Sequence, residues 1–510
     1  MNIKKLIEKY PKLTNFIRKI STRFPYIEKK IMQFSRIKEI LAEEESKIEK
    51  EFEKITKPYK DKYPTYKRLP SKGIKKDDLL KYLEDIQKQE NDRWQKGYVS
   101  GAVYHGEKKH IELLNQVYAM YSQTNPLHSD LWPSIAKFEA EIISMCASLL
   151  NADLDLPYEK RVCGSISSGG TESILLAMKT YRDWARVEKN IKKPEVIVPV
   201  TAHAAFEKAS EYFKIKLVKI PVDENFKADI KKLKKVITKN TIAIVGSAPS
   251  FPHGVIDPIE EMSEIAYKYG IGFHTDACLG GFILPFAERL GYNIPIFDFR
   301  LRGVTSISID THKYGYASKG TSVILYKNEH LRQYQYFITT DWPGGIYFSP
   351  TFAGSRAGGI IASCYASLLS IGEKGYLENT KKILQTAEKI KEGIREIPEL
   401  EILGDPLWVI AFTSKDLNIY QIMDVMTQKG WNLNALQLPP SIHIAVTLRH
   451  TQKGVIERFI KDLKQAVLFT KKHQEINTGL APIYGMAANV PIRGIVKNIL
   501  TKYLNILYRV

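Results

Sequence analysis

The stretch Val304-Thr305-Ser306-Ile307-Ser308-Ile309-Asp310-Thr311-His312-Lys313-Tyr314-Gly315 decides the reading of this chain. An apolar strand candidate, Val304 to Ile309, runs directly into a polar loop that carries an acid, an imidazole and a lysine. In an open α/β sheet, ligands lie beyond the carboxyl ends of the strands, so chemistry is sought in this position. A lysine held in a mostly buried loop is expected to have a lowered pKa, which lets its amine form a Schiff base with an aldehyde. A basic loop residue is usually just solvated, so Lys313 gains meaning only from what accompanies it.

Two further stretches do accompany it. His274-Thr275-Asp276-Ala277 ends the strand candidate Ile271 to Thr275 and places a carboxylate at the same edge, 37 residues before Lys313. A carboxylate there can pair with a pyridine nitrogen, keep it protonated and so keep the ring an electron sink, although a strand-end aspartate is more often a cap. Ser167-Ser168-Gly169-Gly170-Thr171-Glu172-Ser173 follows another apolar strand and opens a helix over Ile174 to Trp184. Its glycines allow close backbone approach, and the free N–H groups of a helix start suit a phosphate; the plain alternative is an ordinary turn capped by Thr171.

Strand candidates at Glu195 to Val200, Lys216 to Val222 and Thr241 to Ala248 alternate with amphipathic segments, which implies a mainly parallel sheet covered by helices on both faces. After about residue 375 the pattern changes to a helix (Thr380 to Ile397) and shorter strands (Leu400 to Leu403, Trp408 to Thr413, Ser441 to Val446). Three parts are expected: a basic helical N-terminal segment and linker over 1–75, a large domain over 76–375, and a smaller α+β domain over 376–510. The linker is the run KYPTYKRLPSKGIKK at 62–76, with two prolines and a glycine. The first 38 residues carry eleven Lys or Arg against two Glu, with Leu13, Phe16, Ile17, Ile20 and Phe24 at helical spacing after Pro11. That helix is expected to pack on its own protein or a dimer partner, with an anionic membrane surface as the alternative.

The chain has 510 residues, 44% of them apolar, and a formal net charge of +19, which favours anionic partners. Cys146, Cys163, Cys278 and Cys364 are widely spaced without a Cys-x-x-Cys pair, so neither a disulfide framework nor a zinc site is indicated and a cytoplasmic setting is expected. No signal peptide is read at the N-terminus, and no run approaches the ~20 apolar residues of a spanning helix.

Taken in order, Ser168-Gly169-Gly170-Thr171-Glu172-Ser173, His203-Ala204-Ala205-Phe206-Glu207-Lys208, His274-Thr275-Asp276-Ala277 and Asp310-Thr311-His312-Lys313 resemble the pyridoxal-phosphate-dependent group II decarboxylase superfamily, with its aminotransferase type I fold. Ser100 to Tyr104, Asn125 to Asp130, Lys313 to Gly320 and Ala481 to Ala487 narrow the resemblance to the sphingosine-1-phosphate lyase family, in the manner of its soluble bacterial members. The membrane-spanning N-terminal helix of the family's eukaryotic members has no counterpart here.

The resemblance implies pyridoxal 5'-phosphate as cofactor, with Lys313 as its covalent anchor, Asp276 on the ring nitrogen and His203 on the ring face. Gly170, Thr171 and His312 would hold the cofactor phosphate, with Ser355 near such a phosphate across a subunit boundary. Tyr104, Asn125, His128 and Lys319 would grip the phosphate of the substrate. Tyr347 and the turn Gly354-Ser355-Arg356 also fit the family pattern, with no role assigned to Arg356. The reaction implied is retro-aldol cleavage of a phosphorylated sphingoid base, or a similar phosphorylated amino alcohol, in a homodimer. The rival on the same fold is an amino-acid decarboxylase, and Lys319, six residues after Lys313, argues against it. A third reading, a catalytically dead basic protein on a membrane surface, conflicts with the intact Asp276, His203 and Lys313; no nucleic-acid-binding motif is visible.

Overall fold

The computed structural model describes residues 49–473 and 493–510, apart from 51, 54, 55 and 91. The helix expected over 11–24 and the stretch Ala481 to Ala487 lie outside the described residues. By compactness the chain forms two units, Arg93–Asn434 with Ser441–Lys472, and Met1–Asp92 with Ala435–Pro440 and His473–Val510. In the second unit the helix Lys76–Lys88 follows a stretch without helix or strand, and Phe52 meets Tyr503 edge to face at 4.8 Å.

The larger unit is built on a seven-stranded sheet: β1 (Cys163–Ser167), β2 (Glu195–Pro199), β3 (Lys216–Ile220), β4 (Thr241–Ser247), β5 (Gly272–Asp276), β6 (Ser306–Ile309) and β7 (Ser322–Tyr326). Their order is β1-β7-β6-β5-β4-β2-β3. Strands β3, β2, β4, β5 and β6 run parallel, whereas β7 is antiparallel to both β6 and β1. The central runs TIAIVGS and SVILY are buried throughout, as a sheet covered on both faces requires. The helix Gly170–Glu188 lies on one face, where Ile174, Met178 and Tyr181 pack with Val196, Val198 and Val245.

Tyr181 shows how closely the layers fit. Its hydroxyl hydrogen-bonds Ser306 Oγ at 2.6 Å and Thr305 Oγ1 at 2.8 Å, and its ring covers Gly272, where a Cβ would stand 2.3 Å from the ring. Beyond β7 an antiparallel hairpin, β8 (Phe337–Trp342) and β9 (Gly345–Ser349), leaves the body. The chain then enters the long helical stretch Gly358–Arg395, broken at Gly372 (φ 61°, ψ 173°), and a small antiparallel sheet of β10 (Glu401–Ile402), β11 (Val409–Thr413) and β12 (Pro440–Ala445).

The expected strands all appear, shifted by at most two residues at an end. Strand β7 and the β8–β9 hairpin were not among the expectations. The helix expected from Thr380 is the second part of the stretch Gly358–Arg395 and begins earlier, just after the break at Gly372; in the first part Gly358 and Gly359 pack so closely on the helix Lys108–Tyr121 and the Thr124 turn after it that a Cβ would meet Thr124 at 2.0 Å and Tyr118 at 2.9 Å. All four cysteines are free and buried. Among the described residues no helix is long and apolar enough to cross a membrane, and no cluster of His, Cys, Asp and Glu could hold a metal ion.

Candidate active site

The carboxyl ends of β1, β2, β4, β5 and β6 open onto one cavity of about 470 Å³. Gly170, Thr171, His203, Asp276, His312, Lys313 and Lys319 all line it, so three loops from separate strands converge as the sequence order implied. The first floor element is the start of the helix Gly170–Glu188. No side chain caps it at Gly169, so the Thr171 cap does not form, and the N-terminal end of the dipole faces the cavity. Glu172 instead ties the loop together, accepting the Ser168 N–H at 2.7 Å and the Phe352 N–H at 3.2 Å. Gly170 has to be glycine: a Cβ there would meet the Asp310 oxygens at 2.7 and 2.8 Å and Cys278 Sγ at 2.9 Å.

Asp276, 7% exposed, accepts the Cys278 N–H at 3.1 Å and lies 3.5 Å from Ser308 Oγ. His203 stands at the rim, its Nδ1 accepting the Ala205 N–H at 3.1 Å and its ring 6.3 Å from that of Phe251. His312 is held through Nδ1 by the carbonyl of Thr321, and burial sets its pKa below the usual imidazole value despite nearby Asp310.

Lys313 departs from expectation. Burial does pull its pKa down, but the Asp310 carboxylate, 2.8 Å from Nζ, outweighs that effect. The net shift is upward, so the amine is held as an ammonium ion. Asp310 was not singled out from the sequence; its other oxygen, Oδ1, is buried without a hydrogen-bond partner. Burial works to raise the Asp310 pKa as well, and Lys313 and His312 reverse it to a net decrease.

Lys319 stands 4.7 Å above the ring of Tyr104. Its side chain is exposed, yet desolvation by the crowded walls around its amine, with the neighbouring Lys313, lowers its pKa to about 8, against a smaller opposing pull from Asp310. Tyr104 itself is buried, edge to face with Tyr314 at 4.8 Å, and burial raises its phenol pKa.

The remaining sequence-derived candidates gather elsewhere. Asn125 caps the turn Pro126–His128, its Oδ1 accepting from Leu127 N and Arg356 N, both at 3.1 Å, while its Nδ2 donates to Ser355 Oγ at 3.1 Å. His128 is exposed and does not line the cavity. Tyr347 on β9 packs over Gly354, where a Cβ would stand 2.8 Å from its hydroxyl. Arg356, left without a role above, makes a two-pronged pair with Glu139 at 2.8 and 2.9 Å, and Glu139 also accepts the Ile166 N–H of β1 at 3.1 Å. That pair fastens the Ser355 turn to the sheet.

The cavity fits a phosphorylated aldehyde cofactor. An uncapped helix start offers N–H groups to a phosphate, a buried lysine faces it, and a strand-end carboxylate sits within the same walls. A model of the pyridoxal-dependent decarboxylase conserved domain matches residues 61–415. The chain is 48% identical to a sphingosine-1-phosphate lyase of Arabidopsis thaliana over 86% of its length and 81% of that protein, and 48% identical to one of Dictyostelium discoideum over 92% and 87%. A solved sphingosine-1-phosphate lyase of Burkholderia pseudomallei superposes with a TM-score of 0.82 at 40% identity, covering 89% of this chain and 99% of that one. A glutamate decarboxylase of Lactobacillus brevis, at 20% identity and TM-score 0.69, shares the fold. The chain belongs to the sphingosine-1-phosphate lyase family of pyridoxal-dependent enzymes.

Proposed function

We propose that this protein cleaves the C2–C3 bond of a phosphorylated sphingoid base, releasing a fatty aldehyde and phosphoethanolamine, with pyridoxal phosphate as its cofactor. Lys313 would anchor the cofactor, Asp276 would keep a proton on its ring nitrogen, His203 would cover the ring face, and Gly170, Thr171 and His312 would receive its phosphate. When bound, the cofactor supplies an electron sink for the pair left on C2. The chain's own work is orientation and proton handling. The bond that breaks must stand perpendicular to the ring, so a substrate clamped at its phosphate is presented in one geometry. As C2–C3 breaks, the C3 hydroxyl would pass its proton to water in the cavity and become the aldehyde carbonyl, and the Lys313 ammonium would give a proton to C2.

The observation that carries this reading is Lys319, which lines the same cavity as Lys313 and has no carboxylate within ion-pair distance among the described residues. A cation so placed, over the face of the Tyr104 ring, suits a phosphate dianion. Asn125, His128, Ser355 and Tyr347 complete the grip if a second copy of the chain supplies them. The exposure of Phe337 (58%), Ile338 (62%), Trp342 (56%) and Ile346 (72%) on the hairpin supports a homodimer, since such a patch is ordinarily covered. The net charge of +19 supports peripheral contact with an anionic membrane, where a sphingoid substrate would reside.

Incubation with a phosphorylated sphingoid base, and separately with glutamate and aromatic amino acids, tests the reading. Aldehyde and phosphoethanolamine should form from the first and no CO2 from the others. CO2 release without aldehyde would replace lyase chemistry by decarboxylation.

A further inference from the structure

We propose that Asp310 is a positioning residue for Lys313: it holds the amine as an ammonium ion whenever Nζ is not bonded to the cofactor, aimed into the cavity with its proton in reserve. This rests on the reading of Lys313 as the cofactor lysine. Both residues lie on the loop that leaves β6, three positions apart, and Lys313 N also bonds the Asp310 carbonyl at 3.2 Å. The carboxylate is 2% exposed. One oxygen contacts Nζ, and the other has no hydrogen-bond partner among the described residues, so the ammonium is the counterpart of an almost fully buried charge.

The other groups facing Lys313 cannot replace it. Cys278 and Tyr104 have pKa values raised by burial and stay neutral near pH 7. Lys319 and His312 push in the opposite sense, and Asp276 makes no ion pair with Lys313. Without Asp310 the amine would meet burial and a neighbouring lysine with no anion beside it, and the neutral form would prevail.

Two functions follow from one ion pair. The released amine stays protonated and fixed, ready to pass its proton to C2, so that a C–H bond forms as an N–H bond breaks and Asp310 remains a carboxylate. The same pairing slows attachment of the cofactor to the apoprotein, because only the neutral amine attacks an aldehyde.

The test follows the growth of visible absorbance after pyridoxal phosphate is added to apoprotein, from about pH 6 to about 9.5. Wild type should speed up by roughly tenfold per pH unit across that range. Asp310→Asn should level off at a lower pH and capture the cofactor ~10-fold faster near pH 7, and Asp310→Glu should return the wild-type slope. Overlapping slopes for wild type and Asp310→Asn overturn the proposal. A cofactor-free arm keeps it open to refutation if Asp310→Asn binds poorly. Lys313→Met should melt below wild type, because it strands a buried carboxylate, and Lys313→Met with Asp310→Asn should melt above Lys313→Met alone; equal melting of these two also overturns it. Absence of any visible band in wild type would defeat the reading of Lys313 and leave the melting comparison to judge the pair.

Discussion

Replacing Lys319 by Ala isolates the phosphate grip from the cofactor chemistry. Lys319 has no ion-pair partner among the described residues, so the substitution should leave the fold and the visible cofactor band intact. Losing a charge-assisted contact to a phosphate dianion costs about 2.7 kcal/mol, a fall of ~100-fold in kcat/KM. The pH dependence gives a second reading. The Lys319 pKa of about 8 means that the cation is present below that pH and is lost as pH rises through it, while the substrate phosphate is a dianion above about 6. For wild type, kcat/KM on a phosphorylated sphingoid base should therefore hold up between those limits and fall by ~10-fold per unit above about 8. Lys319→Arg should keep its charge and shift that decline upward. A lysine with a depressed folded pKa binds its proton less well than in the unfolded chain, so wild-type stability from this group rises with pH between about 8 and the ordinary lysine value, by an amount that solvent screening at this exposed side chain keeps small. Steady-state assays with phosphorylated and unphosphorylated sphingoid bases decide the matter. An equal loss on both substrates would mean that Lys319 serves the cofactor or the fold, and would refute the grip.

Gly170→Ala should overpack the helix start against Asp310 and Cys278, costing ~1–3 kcal/mol in thermal unfolding and weakening cofactor binding. Arg356→Ala should destabilise by ~1–3 kcal/mol because the half-buried Glu139 loses its cationic partner, and Glu139→Gln in the same chain should recover part of the loss; a fall under ~0.5 kcal/mol would show the pair to be ornamental. Borohydride reduction of the holoenzyme followed by peptide mapping should put the cofactor label on Lys313 alone. Sedimentation at micromolar concentration should give a dimer, and charged residues at Ile338 and Ile346 should shift it toward monomer with a parallel loss of turnover.

The parallel strands were legible because each is a short buried apolar run bounded by turns, and the three loops that carry chemistry were legible because strand ends and glycines mark them. Strand β7 was not, since its run SVILY has the same composition as a parallel strand and nothing local reports its direction. The partner of Arg356 was hidden for another reason: Glu139 is 217 residues away in sequence, and an ordinary helical glutamate looks no different from a pairing one. Asp310 stood in a quoted motif and was still passed over, because an acid three residues before a lysine reads as a turn residue until both are seen buried. For the same reason the Lys313 pKa came out with the wrong sign: burial can be guessed from a strand flank, but the charge that overrides it is a matter of 2.8 Å.

The antiparallel return of β7 beside β6 has a mechanical consequence. Ile309 and Val323 are register partners, so the loop bearing Asp310, Lys313 and Lys319 starts and ends on one rung of the ladder between two interior strands of the sheet. Thermal displacement of the sheet then carries both ends together, and breathing of the surrounding helices changes the loop's position far more than its internal spacings. Amide exchange along β6 and β7 should thus need opening of the whole sheet, and the lysines should keep their separation while the mouth of the cavity widens and narrows around them.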